Sequence, residues 1–298
     1  MFAVVIPTRN RPDLLQNILR ELIGQSKKPN FIVIVDSSDQ HKEVEVKVKG
    51  IPIFHILTEI KSAAHQRNLG IDFVLKYSEI KFLSFLDDDI SIPTNYLQEV
   101  EKLFVDHRDA IGVSGIAAET EKPRNNSWVT TFLGLNGRPG ELTKAVINVA
   151  PPTQGQPMEV EWLIGCSTWK VEKLNEIRFE DDFIGQSIFE DVIFSSRMSN
   201  YGKLICSPNL RFNHWMSTVE RPDLQQSYLY WTVNRYRVFR YPIPKVSKLY
   251  YWFSIPILFL AYCFLGLNKL ENDSRKKAKG ILQGGLHLLK NRFSGRVK

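Results

Sequence analysis

Cysteine is scarce in this sequence, and its cysteines form no motif. Cys166, Cys206 and Cys263 are the only three among 298 residues, and they lie far apart with no C-x-x-C spacing. This pattern argues against a disulfide framework and against a zinc site. It favours a protein that works in a reducing compartment.

The N-terminal region also lacks the features of a signal peptide and of the usual nucleotide-binding loops. The apolar segment at residues 2–7 follows no basic residues and is too short for the core of a signal peptide, so we predict a first β-strand there. Neither a G-x-G-x-x-G motif nor a basic, glycine-rich loop follows this segment. A dinucleotide-binding domain of the usual kind is therefore disfavoured, and so is a nucleotidylyltransferase.

Charge of one sign is in excess only at the C-terminal end. The chain has 39 Lys and Arg against 32 Asp and Glu, and residues 269–298 hold nine basic and two acidic residues, which accounts for the whole net charge of +7. A nucleic-acid-binding core would carry its own positive surface, so we predict no nucleic-acid partner. A basic tail of this kind suits an anionic lipid surface.

What the sequence contains is an alternation of apolar and amphipathic segments over its first 117 residues. The apolar segments do not alternate with polar residues, which is typical of parallel strands covered on both faces, so we predict an α/β fold. A long loop region is predicted at 119–157, and a helix starts at 190. The other predicted elements are strands at 3–7, 31–35, 51–57, 81–86, 111–117, 159–164, 203–206 and 210–214 and helices at 12–24, 63–77 and 93–107.

Three consecutive carboxylates follow the fourth predicted strand. Asp87, Asp88 and Asp89 repel one another, and a folded protein tolerates such a cluster mainly when a cation lies among the side chains. Asp36 ends the second predicted strand. Because parallel strands bring their carboxyl ends to one edge of the sheet, these residues are expected to face one ligand. The alternative is an acidic turn, since Asp is common in turns.

An ordered set of motifs accompanies these carboxylates. They are Val5-Ile6-Pro7-Thr8-Arg9-Asn10-Arg11-Pro12, Val35-Asp36-Ser37-Ser38, Ala63-Ala64-His65-Gln66-Arg67-Asn68-Leu69-Gly70, Phe85-Leu86-Asp87-Asp88-Asp89, Gly165, Glu190-Asp191 and His214. Together they resemble glycosyltransferase family 2, the inverting nucleotide-sugar enzymes with the Rossmann-like, mostly parallel GT-A sheet. The resemblance covers roughly residues 1–240 and is strongest to bacterial enzymes that build surface polysaccharide.

The resemblance implies which residues bind the donor, a nucleoside-diphosphate sugar. The backbone at the end of the first strand would line the base pocket, Asp36 would accept a hydrogen bond from the base or ribose, and Asp87 would face the ribose. The full implied set is Pro7, Thr8, Arg9, Asp36, Arg67, Asn68, Asp87 and Asp88. For Arg67, the alternative is a place on a solvated helix face.

The resemblance also implies a divalent cation, Mn²⁺ or Mg²⁺. Either ion would neutralise the diphosphate, and both prefer hard oxygen ligands. Asp89 would hold the metal, with Asp87 and His214 as further ligands, while Asp88 is able to exchange roles with either neighbour. The alternative for His214 is a packed, hydrogen-bonded histidine.

Inversion at the anomeric carbon requires a base that deprotonates the acceptor hydroxyl. By resemblance Asp191 is that base, and Glu190 would orient the acceptor or the base; the transition state would be oxocarbenium-like. The alternative is that both acids only stabilise the start of a helix.

The acceptor is less well defined by the sequence. The Gln-x-x-Arg-Trp signature of processive relatives is not reproduced between Gln225 and Trp231, so we predict transfer of a single sugar to a saccharide or lipid-linked saccharide. One alternative is transfer to a polyprenyl phosphate, for which Arg235, Arg237 and Arg240 would form a cationic pocket. Another is a non-catalytic membrane scaffold with the same fold.

Residues 249–267 contain no charge and are nearly long enough to span a bilayer. Spanning would place the basic tail outside, against the positive-inside tendency, and Pro256 is expected to interrupt the helix. We therefore predict a segment that lies in or dips into the cytosolic leaflet. The protein would be cytoplasmic and peripheral at the inner face of the membrane, with a catalytic domain at 1–240 and a membrane-associated extension at 241–298. The alternative is a helix packed on the catalytic domain.

Overall fold

The structure is a computed structural model that describes residues 1–40, 50–120, 128–183, 187–215, 223–267 and 273–293. The predicted loop region and the basic tail both extend partly outside these residues. The strands are β1 (Phe2–Thr8), β2 (Phe31–Asp36), β3 (Ile53–Leu57), β4 (Phe82–Phe85), β5 (Ile90–Ser91), β6 (Ala110–Ala117), β7 (Met158–Val160), β8 (Ser167–Lys170) and β9 (Lys203–His214). The helices are α1 (Pro12–Ile23), α2 (Ala63–Val74), α3 (Tyr96–Asp106), α4 (Trp128–Phe132), α5 (Glu190–Met198), α6 (Leu224–Arg235), α7 (Lys248–Leu267) and α8 (Ser274–Phe293).

The strands form one mixed sheet in the order β3-β2-β1-β4-β8-β6-β9-β5, with β7 also paired to β9. The first half, β3-β2-β1-β4, is parallel throughout. In the second half, β8 runs antiparallel to both β4 and β6, whereas β6 and β9 are parallel. The carboxyl ends of β1, β2 and β4 therefore meet at one edge of the sheet.

The strand β1 lies at the centre of the parallel half, and all seven of its residues are buried. Val4 and Ile6 pack into a cluster with the apolar faces of α1 and α3. Ala3 and Val5 face the other way and pack with α2. Because both faces of the strand are covered, its sequence is apolar at every position up to Pro7, as the sequence analysis predicted.

The strand β8 was not predicted. Its residues, Ser167 to Lys170, have no apolar run, but the first three are buried because the strand inserts between β4 and β6. A buried hydrogen bond of 2.8 Å joins the hydroxyls of Ser84 and Thr168 across the β4–β8 pair. The two short strands predicted at 203–206 and 210–214 are one strand, β9, whose register against β6 shifts between them.

The three C-terminal helices pack against one another. A Cβ added at Gly280 would lie 2.2 Å from the carbonyl oxygen of Gln225, and one at Gly284 would lie 2.7 Å from Cβ of Thr232, so α8 approaches α6 closely at these glycines. The prediction that Pro256 interrupts the apolar segment was wrong, because α7 continues on both sides of it. Packing of Tyr251 on α6 and Ile255 on α8 holds this part of the helix and offsets the hydrogen bond that proline cannot donate.

Candidate active site

A cavity of about 520 Å³ lies at the carboxyl ends of β1 and β4. The helix α2, which starts where Ser62 accepts a hydrogen bond from the backbone of His65, forms one wall, and the start of α5 forms another. Ten of the twelve residues predicted from the sequence line this cavity. They are Pro7, Thr8, Arg9, Arg67, Asp87, Asp88, Asp89, Glu190, Asp191 and His214.

Arg67 is buried at the centre of this site, so the alternative of a solvated helix face is wrong. One guanidinium nitrogen donates to Asp87 at 2.8 Å, and another donates to Glu190. Burial acts to lower the pKa of Arg67, but the two carboxylates outweigh it and raise the pKa, so the guanidinium stays charged. A Cβ added at Gly165 would lie 3.2 Å from Nη2 of Arg67, so a side chain there would press against the guanidinium.

Asp88 is held by residues from the first strand and the loop after it. The hydroxyl of Thr8 donates to one carboxylate oxygen at 2.7 Å, and Arg11 donates to the other at 3.0 Å. Burial raises the pKa of Asp88 to about 6, although Thr8 and Arg11 act in the opposite direction. Asp88 therefore anchors the loop that follows β1 to the end of β4.

Asp89 and His214 meet through the pairing of β5 with β9, in which Ile90 stands opposite His214. The Nε2 atom of His214 lies 3.2 Å from Oδ1 of Asp89, and Arg11 lies 3.4 Å from Oδ2. In the part of the chain that the structure describes, no three His, Cys, Asp or Glu side chains form a metal-binding group. An oxygen and a nitrogen donor side by side nonetheless fit a cation that takes its other ligands from phosphate and water.

Asp87 contacts Arg67 and Cys166. The thiol of Cys166 donates to Oδ2 of Asp87 across 3.5 Å, while Arg67 occupies Oδ1. Asp87 thus shares the guanidinium of Arg67, on α2, with Glu190. Its carboxylate is partly exposed to the cavity.

Glu190 and Asp191 form the first turn of α5, directly after Phe189. Phe189 has a φ of 81°, a strained conformation for a residue with a side chain. Burial raises the pKa of Glu190 to about 7 and that of Asp191 to about 6, although Arg67 acts to lower both values. Oε2 of Glu190 has no hydrogen-bond partner among the described residues. Two carboxyl groups with pKa values near neutrality therefore face the cavity.

Two predicted residues lie outside this cavity. Asp36 lines a neighbouring cavity of about 310 Å³, to which Thr8 and Arg11 also contribute. Burial acts to raise the pKa of Asp36, but hydrogen bonds with His55 and Ser38 outweigh it and lower the pKa. The side-chain amide of Asn68 exchanges hydrogen bonds of 2.9 Å with the backbone of Phe179 in both directions and joins α2 to that loop.

Sequence reasoning did not assign roles to Arg11, Gln66 and Lys61, which also line the cavity. Gln66 is buried and donates to the carbonyl oxygens of Thr8 at 2.8 Å and Val35 at 2.6 Å, so it fastens α2 to β1 and β2. Arg11 and Gln66 lie inside the motifs given above, and this position was the sequence feature that could have identified them as site residues. Their contacts depend on pairing between distant segments, which the motifs do not reveal.

The three arginines that would form a cationic acceptor pocket are engaged elsewhere. Arg235 is buried, with its guanidinium carbon 3.8 Å from the ring centre of Trp231 and 4.9 Å from that of Tyr251, and burial lowers its pKa to about 10. Arg237 and Arg240 both form ion pairs with Glu180 and Asp182.

Comparison with known proteins shows the family and the fold of this chain. The sequence model of glycosyl transferase family 2 matches residues 3–158, which is just over half of the chain. Comparison with curated protein sequences gives no match. Among solved structures, residues 1–349 of S. aureus TarS are 15% identical with a TM-score of 0.53, and the alignment covers 99% of this chain and 91% of that one. The same part of TarS has been solved with UDP.

A second similar structure is the mannosyltransferase PcManGT from Pyrobaculum calidifontis in complex with GDP-Man and Mn²⁺. It is 14% identical with a TM-score of 0.59, and the alignment covers 98% of this chain and 87% of the other. The fold is thus of the GT-A class, as predicted. The chain belongs to glycosyltransferase family 2, and it is therefore a glycosyltransferase.

Proposed function

We propose that this glycosyltransferase moves one sugar, with inversion, from a nucleoside-diphosphate sugar to a hydroxyl of a saccharide or lipid-linked saccharide. The observation that supports this best is the single cavity in which the carboxylates after β4 and those at the start of α5 are joined by Arg67. Donor and base residues are thereby held in one fixed arrangement. Preorganisation of this kind is what transfer between two bound substrates requires.

The donor would occupy both cavities. Thr8 and Arg11 contribute to each of them, so a ligand that extends from Asp36 to Asp87 passes these residues. We assign the base and ribose to the cavity at Asp36 and the sugar to the larger one. Nucleotide-bound TarS and PcManGT support a nucleotide-sugar donor by analogy of fold.

We assign Asp89 and His214 as the residues that hold Mn²⁺ or Mg²⁺, with Asp87 as a further carboxylate of the same cavity. A divalent cation at this place would neutralise the negative charge of the leaving diphosphate. Arg11, which already lies against Asp88 and Asp89, adds a second positive charge on the same side of the cavity. The mannosyltransferase with bound Mn²⁺ supports this assignment by analogy.

Asp191 would act as the base. Its carboxylate takes the proton of the acceptor hydroxyl while that oxygen forms a bond to the anomeric carbon and the bond to the diphosphate breaks. Glu190, fixed by Arg67, would orient Asp191 and the acceptor. Attack from the side opposite the leaving group inverts the anomeric configuration.

We place the enzyme in the synthesis of surface polysaccharide, as a cytoplasmic protein peripheral to the inner membrane face. Residues 1–240 would form the catalytic domain and 241–298 the membrane-associated extension. The helix α7 is long and apolar enough to cross a membrane by length and composition. A polyprenyl-phosphate acceptor gains no support from Arg235, Arg237 and Arg240, because the first stacks on aromatic rings and the others form ion pairs.

Thermal-shift titration tests the binding half of this proposal. We expect UDP or GDP to raise the melting temperature in the presence of Mn²⁺ and to do so less after chelation, because a ligand that binds only the folded state stabilises it. Donor hydrolysis with Mn²⁺ would exclude the non-catalytic scaffold. If no nucleoside diphosphate gives a metal-dependent shift, the proposed donor site is wrong.

A further inference from the structure

Large apolar side chains are exposed along one side of α7. Leu249, Phe253, Leu260, Phe264 and Leu267 are each more than half exposed, and their spacing of four, seven, four and three residues places them on one helix face. A contiguous exposed surface of this kind marks an interaction site. We call it the apolar face.

The structure extends the apolar face to α8. Leu282, Leu286 and Leu289 are exposed at intervals of four and three residues, while Ile281 and Leu288 of the same helix are buried. A Cβ added at Gly285 would lie 3.0 Å from Ile255 of α7, so the two helices are in contact beside these leucines. Two helices in contact therefore both carry exposed apolar side chains, and we include these leucines of α8 in the apolar face.

A short helix far away in the sequence adds two aromatic residues. Trp128 and Phe132 of α4 are the most exposed large apolar side chains described, at 81% and 74%. Gly134, just after α4, approaches Tyr250 in the first turn of α7, since a Cβ there would lie 2.5 Å from its ring. The aromatic residues of α4 thus lie beside the start of α7.

The charge around the apolar face is positive. The sequences of α7 and α8 contain seven Lys or Arg and no acidic residue. Arg275, Lys276 and Lys279 are exposed on α8 next to the leucines. A second copy of this chain on the same face would bring cations against cations, whereas anionic lipid headgroups complement them.

The opposite side of α7 is fastened to the protein. The hydroxyl of Tyr251 donates to the carbonyl of Thr232 on α6 at 2.5 Å, and the hydroxyl of Ser254 accepts from the buried Arg235 at 3.4 Å. If α7 crossed a bilayer, these contacts would break or Arg235 would enter the hydrocarbon, where a charge is costly. An in-plane position keeps them and buries only the exposed side.

We infer that α4, α7 and α8 form one docking face for an anionic phospholipid bilayer, on which α7 lies in the membrane plane and does not span it. The consequence for catalysis rests on the proposed function. Trp231 of α6 lines the cavity and stacks on Arg235, which in turn contacts Tyr251 of α7. The cavity is therefore one helix away from the lipid surface, which suits an acceptor carried on a lipid.

Vesicle flotation of the full chain tests the docking face. We expect binding to phosphatidylcholine vesicles that contain phosphatidylglycerol and weaker binding to phosphatidylcholine alone. The double variant Leu260→Gln/Phe264→Gln should lower the partition constant on the order of 100-fold, because two apolar side chains no longer enter the lipid. Lys276→Glu/Lys279→Glu should lower it roughly 10-fold to 100-fold on the anionic vesicles only.

Matched controls lie on α3, where Val105 and Lys102 are also exposed. Val105→Gln and Lys102→Glu should bind vesicles like the unchanged protein. Equal binding by the control and docking-face variants would overturn the inference. So would a dimer in solution that the docking-face variants convert to a monomer, because a second copy would then be the occupant.

A second measurement separates the in-plane position from a span. In a Cys263→Ser background, Gln283→Cys places a thiol on the exposed polar side of α8. When protein is added outside vesicles that are loaded with a membrane-impermeant maleimide, this thiol should stay unlabelled until detergent opens the vesicles. Labelling inside intact vesicles would contradict the in-plane position.

Nucleotide binding in lipid-free buffer keeps the two proposals apart. The docking-face variants should retain the Mn²⁺-dependent shift with UDP or GDP, because none of the substituted side chains lines the cavity. Loss of vesicle binding with nucleotide binding intact supports the docking face alone. Absence of nucleotide binding in the unchanged protein would remove the proposed donor site and leave the vesicle result standing.

Discussion

The candidate active-site cavity and the C-terminal helices both depart from the usual distribution of side chains, in opposite ways: the cavity buries charged groups, and the helices expose apolar groups. In the cavity, Arg67, Asp88 and Asp89 are buried with at most 3% of their surface exposed. On the C-terminal helices, Leu260 and Phe264 are 63% exposed. Neither arrangement is favourable for an isolated folded chain, since buried charge must be compensated and exposed apolar surface remains in water. In the cavity the buried charges compensate one another through ion pairs, whereas the exposed apolar side chains of the helices remain in contact with water.

The two regions are also held together by different kinds of contact. In the cavity, ion pairs such as Arg67–Glu190 connect residues 123 positions apart. Between α6 and α8, close contact depends on the absence of side chains at Gly280 and Gly284. Substitutions in the cavity should therefore alter stability by leaving buried charges uncompensated. Substitutions between α6 and α8 should alter it by adding side-chain volume where the helices are in close contact.

The largest expected effect follows from removing the proposed base, Asp191. Asp191→Asn should lower kcat of sugar transfer by about 10²- to 10⁴-fold, because no carboxylate remains to take the acceptor proton. Nucleotide affinity should stay within about twofold, since no hydrogen bond joins Asp191 to a predicted metal residue in the part of the chain that the structure describes. Initial rates and Mn²⁺-dependent nucleotide binding measure the two quantities. Full activity in this variant would remove Asp191 from its assigned role.

The next largest effect concerns the buried ion pairs. Arg67→Met should reduce the free energy of unfolding by about 3–5 kcal/mol, because Asp87 and Glu190 would lose their common counter-charge in a buried site. Arg178→Met is the matched control: its partner Asp72 is largely exposed, so the loss should stay below about 1 kcal/mol. Urea unfolding measures both. Equal losses of unfolding free energy in the two variants would mean that the buried ion pairs of Arg67 stabilise the protein no more than the exposed pair of Arg178.

The pH dependence of transfer should reflect the carboxyl groups of α5. Burial raises the pKa of Asp191 to about 6 and that of Glu190 to about 7. The base must be ionised, so kcat/KM should be highest above these values and fall about tenfold per pH unit below them, or more steeply where both protons count. A rate profile between about pH 5 and pH 8 would reveal this fall. A flat profile would contradict the assignment.

The smallest effect tests volume between the C-terminal helices. Gly284→Val should cost about 1–3 kcal/mol, because its Cβ would lie 2.7 Å from Cβ of Thr232 and the helices would have to separate. Gly24→Ala is the control, since a Cβ there lies 3.5 Å or more from its neighbours and needs no rearrangement. Thermal unfolding measures both variants. A neutral Gly284→Val would show that α8 is not tightly docked on α6.

Sequence reasoning succeeded where a pattern reflects local geometry. The continuous apolar runs predicted β1, β2 and β4, and the carboxylates after β4 lie at the sheet edge as expected. It failed for β8, because Ser167 to Lys170 become a strand only through the neighbours that flank them. It also failed for the continuity of α7 through Pro256, since packing with α6 and α8 outweighs the local preference of proline.

The sequence alone determined the alternation of buried strands and helices, the carboxyl groups at strand ends and the positive charge of the last helix. These properties follow from the local order of residue types, because burial and chain direction leave periodic patterns. Only the tertiary structure decided that Arg67 joins Asp87 to Glu190, that Asp89 meets His214 and that α4 lies beside α7. Such contacts join distant segments, and their choice depends on how the sheet and helices pack as a whole.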